Sequence, residues 1–189
     1  MKVLIACEES GIVRDAFEGK GHDAYSCDLL DRSGKHICWD AREHLDEGWD
    51  LMVAHPPCTR LCNSGVCWLE KRNLWKEMEE AAQFFVELLN APIPRKAVEN
   101  PIPHKYALEI IGRKYDQIIQ LYEFGHPERK ATCLWLEGLP PLMATALMEL
   151  PRDKSKAQRL HYLPPSPERA MLRSKTYTGI AKAMAEQWG

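Results

Sequence analysis

Five short runs with strand character, each closed by a polar or proline-bearing cluster, constrain this chain more than any other feature. Residues 2–6 (KVLIA) lead into Cys7-Glu8-Glu9-Ser10-Gly11, and residues 23–27 (DAYSC) are closed by Asp28. His36-Ile37-Cys38 is closed by Trp39-Asp40, residues 50–54 (DLMVA) run into His55-Pro56-Pro57-Cys58, and residues 95–98 (RKAV) end at Glu99-Asn100-Pro101. Ile12, Val13, Ala16 and Phe17 recur at helical spacing after the first run. A longer helix is predicted over 71–90, with Leu74, Met78, Ala81, Phe85, Leu88 and Leu89 on one face. Strands alternating with helices predict an α/β fold, a mostly parallel sheet with helices on both faces. The apolar runs 117–122 and 131–136, separated by Gly125-His126-Pro127, predict a late antiparallel hairpin. Residues 138–173 are rich in Pro, Arg and Lys and read as irregular, and a last helix is expected over 175–187. Ligands of such sheets bind beyond the carboxyl ends of the strands. The polar clusters fall there, which points to an enzyme.

A length of 189 residues suits one domain spanning 1–189, and a hydrophobic content of 45% excludes disorder. No apolar run approaches the ~20 residues that span a bilayer, so no membrane partner is expected. The apolar N-terminal run is too soon interrupted by Glu8 and Glu9 for a signal peptide. Seven cysteines, an odd number without an export signal, predict reduced thiols and a cytoplasmic location. A net charge of −2 argues against a protein that coats nucleic acid non-specifically, though a local basic groove is compatible with it.

Each cluster has a chemical and a structural reading. The turn at Glu8-Glu9-Ser10-Gly11 exposes N–H groups suited to an anion, but its glutamates repel phosphate, so a zwitterion bearing an ammonium group fits better. The structural alternative is a helix start capped by Ser10. Asp28 is placed to accept from ribose hydroxyls and Asp40 from an adenine amine, or each is a loop or capping residue. Together they sketch an adenosine site. The paired prolines present Cys58 rigidly, as a nucleophile for an electron-poor ring carbon requires. A structural cysteine, or a metal site with Cys62 and Cys67, is the alternative, although their spacing is not that of paired metal ligands, and no metal is expected. A half-buried Glu99 is expected to have a raised pKa and to donate a proton to a ring nitrogen. Otherwise it is a strand-end acid bonded to a backbone N–H. Arg129 and Lys130 could steady a carbonyl or phosphate, or form a solvated hairpin tip.

In this order, the motifs resemble the C5-cytosine DNA methyltransferase family, and more closely its short, phage-type members. Ala6 through Gly11 and on to Asp28 is similar to the family's cofactor loop and following acid, and Asp40 sits where the family holds adenine. His55-Pro56-Pro57-Cys58 is similar to the Pro-Cys nucleophile motif, and Glu99-Asn100 to the Glu-Asn motif. Pro127 to Lys130 falls at the arginine-bearing strand tip, and Ser174-Lys175-Thr176-Tyr177-Thr178-Gly179 at the C-terminal cofactor motif. The resemblance implies a Rossmann-like S-adenosylmethionine-dependent methyltransferase fold. It implies S-adenosyl-L-methionine as cofactor, held by Glu8, Ser10, Gly11, Asp28, Asp40, Pro56, Thr178 and Gly179. It implies catalysis by Cys58 and Glu99 with Lys130 and Arg129, on cytosine that is single-stranded or flipped from a duplex.

The chain departs from the family in four places. The Gly-rich loop is replaced by Glu-Glu-Ser-Gly, Thr59 stands where Gln is usual, Pro101 stands where Val is usual, and the large recognition domain is absent. Residues 138–173 occupy its place, and Arg152, Lys154, Lys156 and Arg159, with Arg169 and Arg173 nearby, suggest a phosphate-gripping arm. Three functions follow: a cytosine methyltransferase on DNA, a related enzyme on a free cytosine nucleotide, or a non-catalytic binding or anti-restriction protein. Cys58 and Glu99 together argue against the last.

Overall fold

Residues 3–6 carry apolar side chains at every position, the pattern of a strand covered on both faces. In the computed structural model, which describes residues 1–166, 169–174 and 176–189, that strand is β1 (Lys2–Ala6). The helix α1 (Ile12–Glu18), then β2 (Asp23–Asp28), β3 (His36–Cys38) and β4 (Leu51–Ala54) follow. Next come α2 (Cys67–Lys71), α3 (Trp75–Leu89), β5 (Lys96–Pro101), α4 (Lys105–Ile111), β6 (Gln117–Ile119) and β7 (Thr132–Glu137). Beyond the hairpin lie α5 (Lys154–Ala157), α6 (Arg169–Ser174) and α7 (Thr178–Gln187).

The strands form one seven-stranded sheet in the order β3-β2-β1-β4-β5-β7-β6. β1 to β5 are parallel, and β7 runs antiparallel to both β5 and β6. The expected fold class is the one observed. β1 has β2 on one side and β4 on the other, so the order reverses there and leaves a crevice at the carboxyl ends. Alternate residues of β1 feed two cores. Leu4 and Ala6 pack with Met78, Phe85 and Leu88 of α3. Val3 and Ile5 pack with Val13 and Phe17 of α1 and Ile180 and Met184 of α7.

Several elements differ from the sequence reading. The predicted 71–90 helix is α3, which starts only at Trp75. Asn73, in a left-handed conformation (φ 51°), separates it from the short α2 before it. α5 and α6 lie in the stretch read as irregular, and α7 starts at Thr178. β5 extends through Pro101, so Glu99 and Asn100 lie within the strand, paired across β7 with Leu134 and Cys133. α4 was not anticipated: its start is capped by His104, whose Nδ1 accepts from the Ala107 N–H at 3.1 Å. Among the described residues, no helix is long and apolar enough to cross a membrane.

Gly179 is fixed by this packing. A Cβ built there would lie 1.8 Å from the backbone oxygen of Phe124, beside the β6–β7 connection. Gly179→Ala should therefore push α7 off the sheet and cost about 3 kcal/mol by overpacking. For a chain of this size that lowers the melting temperature by roughly 6–12 °C, readable by circular dichroism.

Candidate active site

The first loop is organised around Glu8. Cys7 adopts φ 59°, a turn that sends the chain away from β1 and lets the Glu8 N–H donate to the Cys27 carbonyl at 3.1 Å. The Glu8 carboxylate is buried and accepts from the N–H groups of Val13 (2.7 Å) and Arg14 (3.2 Å) and from the Ser10 hydroxyl (3.1 Å). It thus satisfies the free donors at the start of α1. The Ser10 hydroxyl accepts from Ile12 N–H at 3.3 Å, but the residue at the capping position is Gly11, with φ 68°. The buried Arg14 guanidinium closes over Gly11 and Gly34 and donates to Ser26 and to the Ser33 carbonyl. Glu8 and Ser10, expected to hold a cofactor, are thus bonded into the loop itself.

Asp28 ends β2, half-buried, and one of its oxygens accepts from the Leu30 N–H at 3.0 Å. Beside it, Leu29, Leu30 and Trp39 are exposed at the ends of β2 and β3. Asp40 caps the following 3₁₀ turn (Ala41–His44) and is gripped by Arg42 at 2.6 Å, which holds its carboxyl below the usual range. Burial, reinforced by the charges of Asp28 and Asp40, pushes the Cys7 thiol up. This donor set fits an adenosine group: a carboxylate for ribose hydroxyls, with apolar and aromatic side chains free to flank a base. The start of α1, filled by Glu8, does not fit an added carboxylate or phosphate.

At the ends of β4 and β5 the geometry is tighter. His55 Nδ1 lies 2.9 Å from a Glu99 oxygen, with 10% and 17% of the two side chains exposed. The Asn100 amide donates to the Pro56 carbonyl at 3.2 Å. His104 bonds the Arg60 carbonyl at 2.8 Å, and its N–H donates to Leu61. The loop after Cys58 is thereby clamped to the chain that leaves β5. Two buried polar atoms of this region, His55 Nε2 and Asn100 Oδ1, have no partner among the described residues.

Burial pushes the Glu99 carboxyl up, but the His55 hydrogen bond and the positive charge of Lys130 outweigh it, and the group lies below its ordinary value. The raised pKa expected from sequence is not what this surrounding produces. His55, Glu99, Lys130, Thr132, Thr176 and Tyr177 line one small pocket, closed on its apolar side by Leu121, Ile180 and Met184. Of the two predicted tip residues, Lys130 reaches this site. Arg129 is exposed, and its N–H donates to Ala157.

Cys58 and Cys62 sit on one turn: the Cys62 N–H donates to the Cys58 carbonyl at 3.1 Å. The neighbouring Cys62 side chain, then burial, and then the charge of Glu99 push the Cys58 thiol up, while Lys130 draws it down. The neighbouring Cys58, with the hydrogen bond between Cys62 and Ser64, pulls Cys62 down. Cys67 is exposed on α2, and no three metal-binding side chains converge among the described residues. Thr178 is exposed at the start of α7, and Gly179 N–H donates to His126 at 3.2 Å. Lys175 of the same segment lies outside the described residues. In the basic segment, Arg152, Lys154 and Lys156 are exposed, but Arg159 pairs with Glu128 at 3.1 Å and with the Tyr177 hydroxyl at 3.2 Å.

Sequence reasoning gave no role of their own to His55 or His104, named Asn100 only within the Glu-Asn motif, and offered Cys62 only as an alternative metal ligand. His55 stands inside a motif already singled out. His104 shows nothing in sequence beyond its residue type.

No family model and no curated protein matches the chain. Solved structures similar to it include a prophage-encoded and an Entamoeba histolytica protein. One, assigned as a DNA modification methyltransferase encoded within an E. coli prophage, is 11% identical with a TM-score of 0.49. The match covers 87% of this chain and 55% of that one. The other, the Entamoeba histolytica methyltransferase EhMeth, is 14% identical with a TM-score of 0.48, covering 88% of this chain and 60% of its own. The chain thus spans less than two thirds of either protein.

The opposed charges around Cys58 set its reactivity. One pKa unit is tenfold in thiolate fraction. Glu99→Gln should speed iodoacetamide labelling of Cys58 at pH 8 by about 3–10-fold, and Lys130→Met should slow it by a similar factor. Peptide mapping by mass spectrometry over a time course reads both.

Proposed function

We propose that the chain methylates carbon 5 of cytosine in DNA, with S-adenosylmethionine as donor and Cys58 as covalent nucleophile. The observation that carries the reading is the pocket in which the His55–Glu99 pair meets Lys130, with Cys58, outside its lining, near enough to feel the charges of both Glu99 and Lys130. Asp28 would hold the ribose, with Leu29, Leu30 and Trp39 flanking the base. The cofactor supplies an electrophilic methyl group on a sulfonium.

Cys58 loses its proton to water, and its sulfur bonds to carbon 6 of the ring. The electron pair of the 5,6 double bond shifts toward carbon 5 as ring nitrogen 3 is protonated at Glu99. Lys130 balances the carboxylate and favours the thiolate. After carbon 5 has taken the methyl group, it loses its proton and the Cys58 thiolate leaves. The preformed turn holding Cys58 lowers the entropy lost on attack.

A second reading, a free cytosine nucleotide as substrate, is favoured by one observation. Arg159 is already paired, which leaves fewer free charges in the basic segment for a phosphate backbone. Methyl transfer to single-stranded DNA, duplex DNA and deoxycytidine nucleotides should therefore be compared. Activity on DNA with weak sequence preference and a steep salt dependence is expected. Turnover on nucleotides alone selects the second reading.

Cys58→Ser should abolish turnover while leaving donor affinity nearly unchanged, and 5-fluorocytosine DNA should trap an adduct at Cys58, because fluorine cannot leave as a cation. Asp28→Ala should weaken S-adenosylmethionine binding by about 1–3 kcal/mol in calorimetry, the loss of a charged hydrogen bond. No binding of the cofactor or its demethylated product by the folded protein would rule the methyltransferase reading out.

A further inference from the structure

We infer that His55 is the positioning residue that supplies Glu99 with the proton cytosine needs. This rests on the reading of the site as a cytosine methyltransferase. Ring nitrogen 3 must gain a proton as Cys58 attacks, yet the surroundings of Glu99 keep its carboxyl ionised. A carboxylate alone can accept from the exocyclic amine but has nothing to donate.

His55 resolves this by geometry. Its Nδ1 is bonded to Glu99 at 2.9 Å, and its Nε2 is buried, without a partner, on a side chain that lines the pocket. Since the carboxylate only accepts, Nδ1 carries hydrogen, and the neutral ring leaves Nε2 as a bare acceptor. That atom is where a proton enters. With both ring nitrogens protonated, the Nδ1 proton moves to the Glu99 carboxylate, and the resulting acid protonates nitrogen 3. His55 is then neutral, with its remaining hydrogen on Nε2 and Nδ1 bare toward Glu99. When Cys58 leaves carbon 6, the nitrogen 3 proton goes back to Glu99 and on to Nδ1, so charge and protons balance over the cycle. The groups facing the pair are Lys130 from the hairpin tip, Cys133 from β7, Cys58 from its loop and Tyr177 at the start of α7. Among them only Lys130 is a cation, and it neutralises the carboxylate without offering it a proton-accepting partner.

Asparagine keeps an N–H donor near the place of Nδ1 but does not titrate. His55→Asn should lower kcat about 100-fold, the low end of general acid–base contributions, with KM for DNA and donor affinity changed less than about threefold. Wild-type kcat should fall as pH rises through the histidine range, and the variant should lack that limb. Near-wild-type kcat and an unchanged pH profile in His55→Asn would leave His55 a mere prop for Glu99 and overturn the inference. A readout without turnover runs in parallel: imidazole ¹⁵N NMR of the free protein, in which His55 should carry its hydrogen on Nδ1 and Glu99→Gln should weaken that tautomer preference. A tautomer unmoved by Glu99→Gln overturns the coupling even if methylation is confirmed. A wild-type protein inactive on every cytosine substrate overturns the reading and the inference together, so the two failures are told apart.

Discussion

The register of β4 against β5 is the constraint on which the site depends. Met52 faces Lys96, Val53 faces Ala97 and Ala54 faces Val98. The ladder stops there, but the same offset of 44 residues persists in His55–Glu99, Pro56–Asn100 and Arg60–His104. Two consecutive prolines cannot donate to a ladder, so main-chain pairing must end where they begin. Side chains take over its work: the Asn100 amide satisfies the Pro56 carbonyl and His104 satisfies Arg60. The Cys58 loop, which would otherwise hang free, is sewn to the chain bearing Glu99, so the relative positions of Cys58 and Glu99 are inherited from the sheet.

That offset explains how much was legible in sequence. Strands and helices were visible because hydrophobic period is a local property, and the placing of polar clusters at strand ends followed from the alternation. The partner of His55 was not, since a parallel register is fixed by packing between segments far apart in the chain. The later start of the long helix follows one left-handed asparagine, Asn73, which periodicity does not register. Cofactor roles given to Glu8 and Ser10 assumed that the helix start was open, whereas a buried carboxylate from five residues upstream fills it. The basic segment 152–159 read as a free arm, but the Arg129 N–H holds its short helix against the hairpin tip through Ala157.

The electrostatics of the site follow from the same closeness. Glu99 opposes the thiolate of Cys58, and Lys130 opposes Glu99, so neither anion stands unbalanced in a place poor in water. Buried polar groups without partners are rare in folded chains, because each costs about 1–3 kcal/mol. Two occur here within the extended register, on His55 and Asn100, beside the one carboxylate whose charge a substrate would have to meet. Of these two residues, His55 lines the pocket, in contrast to Lys96, which is just as buried but bonds Ala91 and Glu137.

The first loop sorts ligands by charge. In dinucleotide-binding sheets, the N–H groups opening the first helix meet a pyrophosphate. Here Glu8 has taken those groups, and Glu9, paired with Arg32 at 3.1 Å, adds a second carboxylate at the rim. A phosphate brought to this turn would find its donors occupied and two like charges in place. What stays open lies one strand further out, where Asp28 has an oxygen to spare and Leu29, Leu30 and Trp39 present apolar surface. A ligand with a neutral nucleoside at one end and a cationic centre at the other suits both halves of that crevice. On the proposed reading, the two glutamates of this loop would disfavour a nucleotide by repulsion and tolerate a sulfonium-bearing nucleoside.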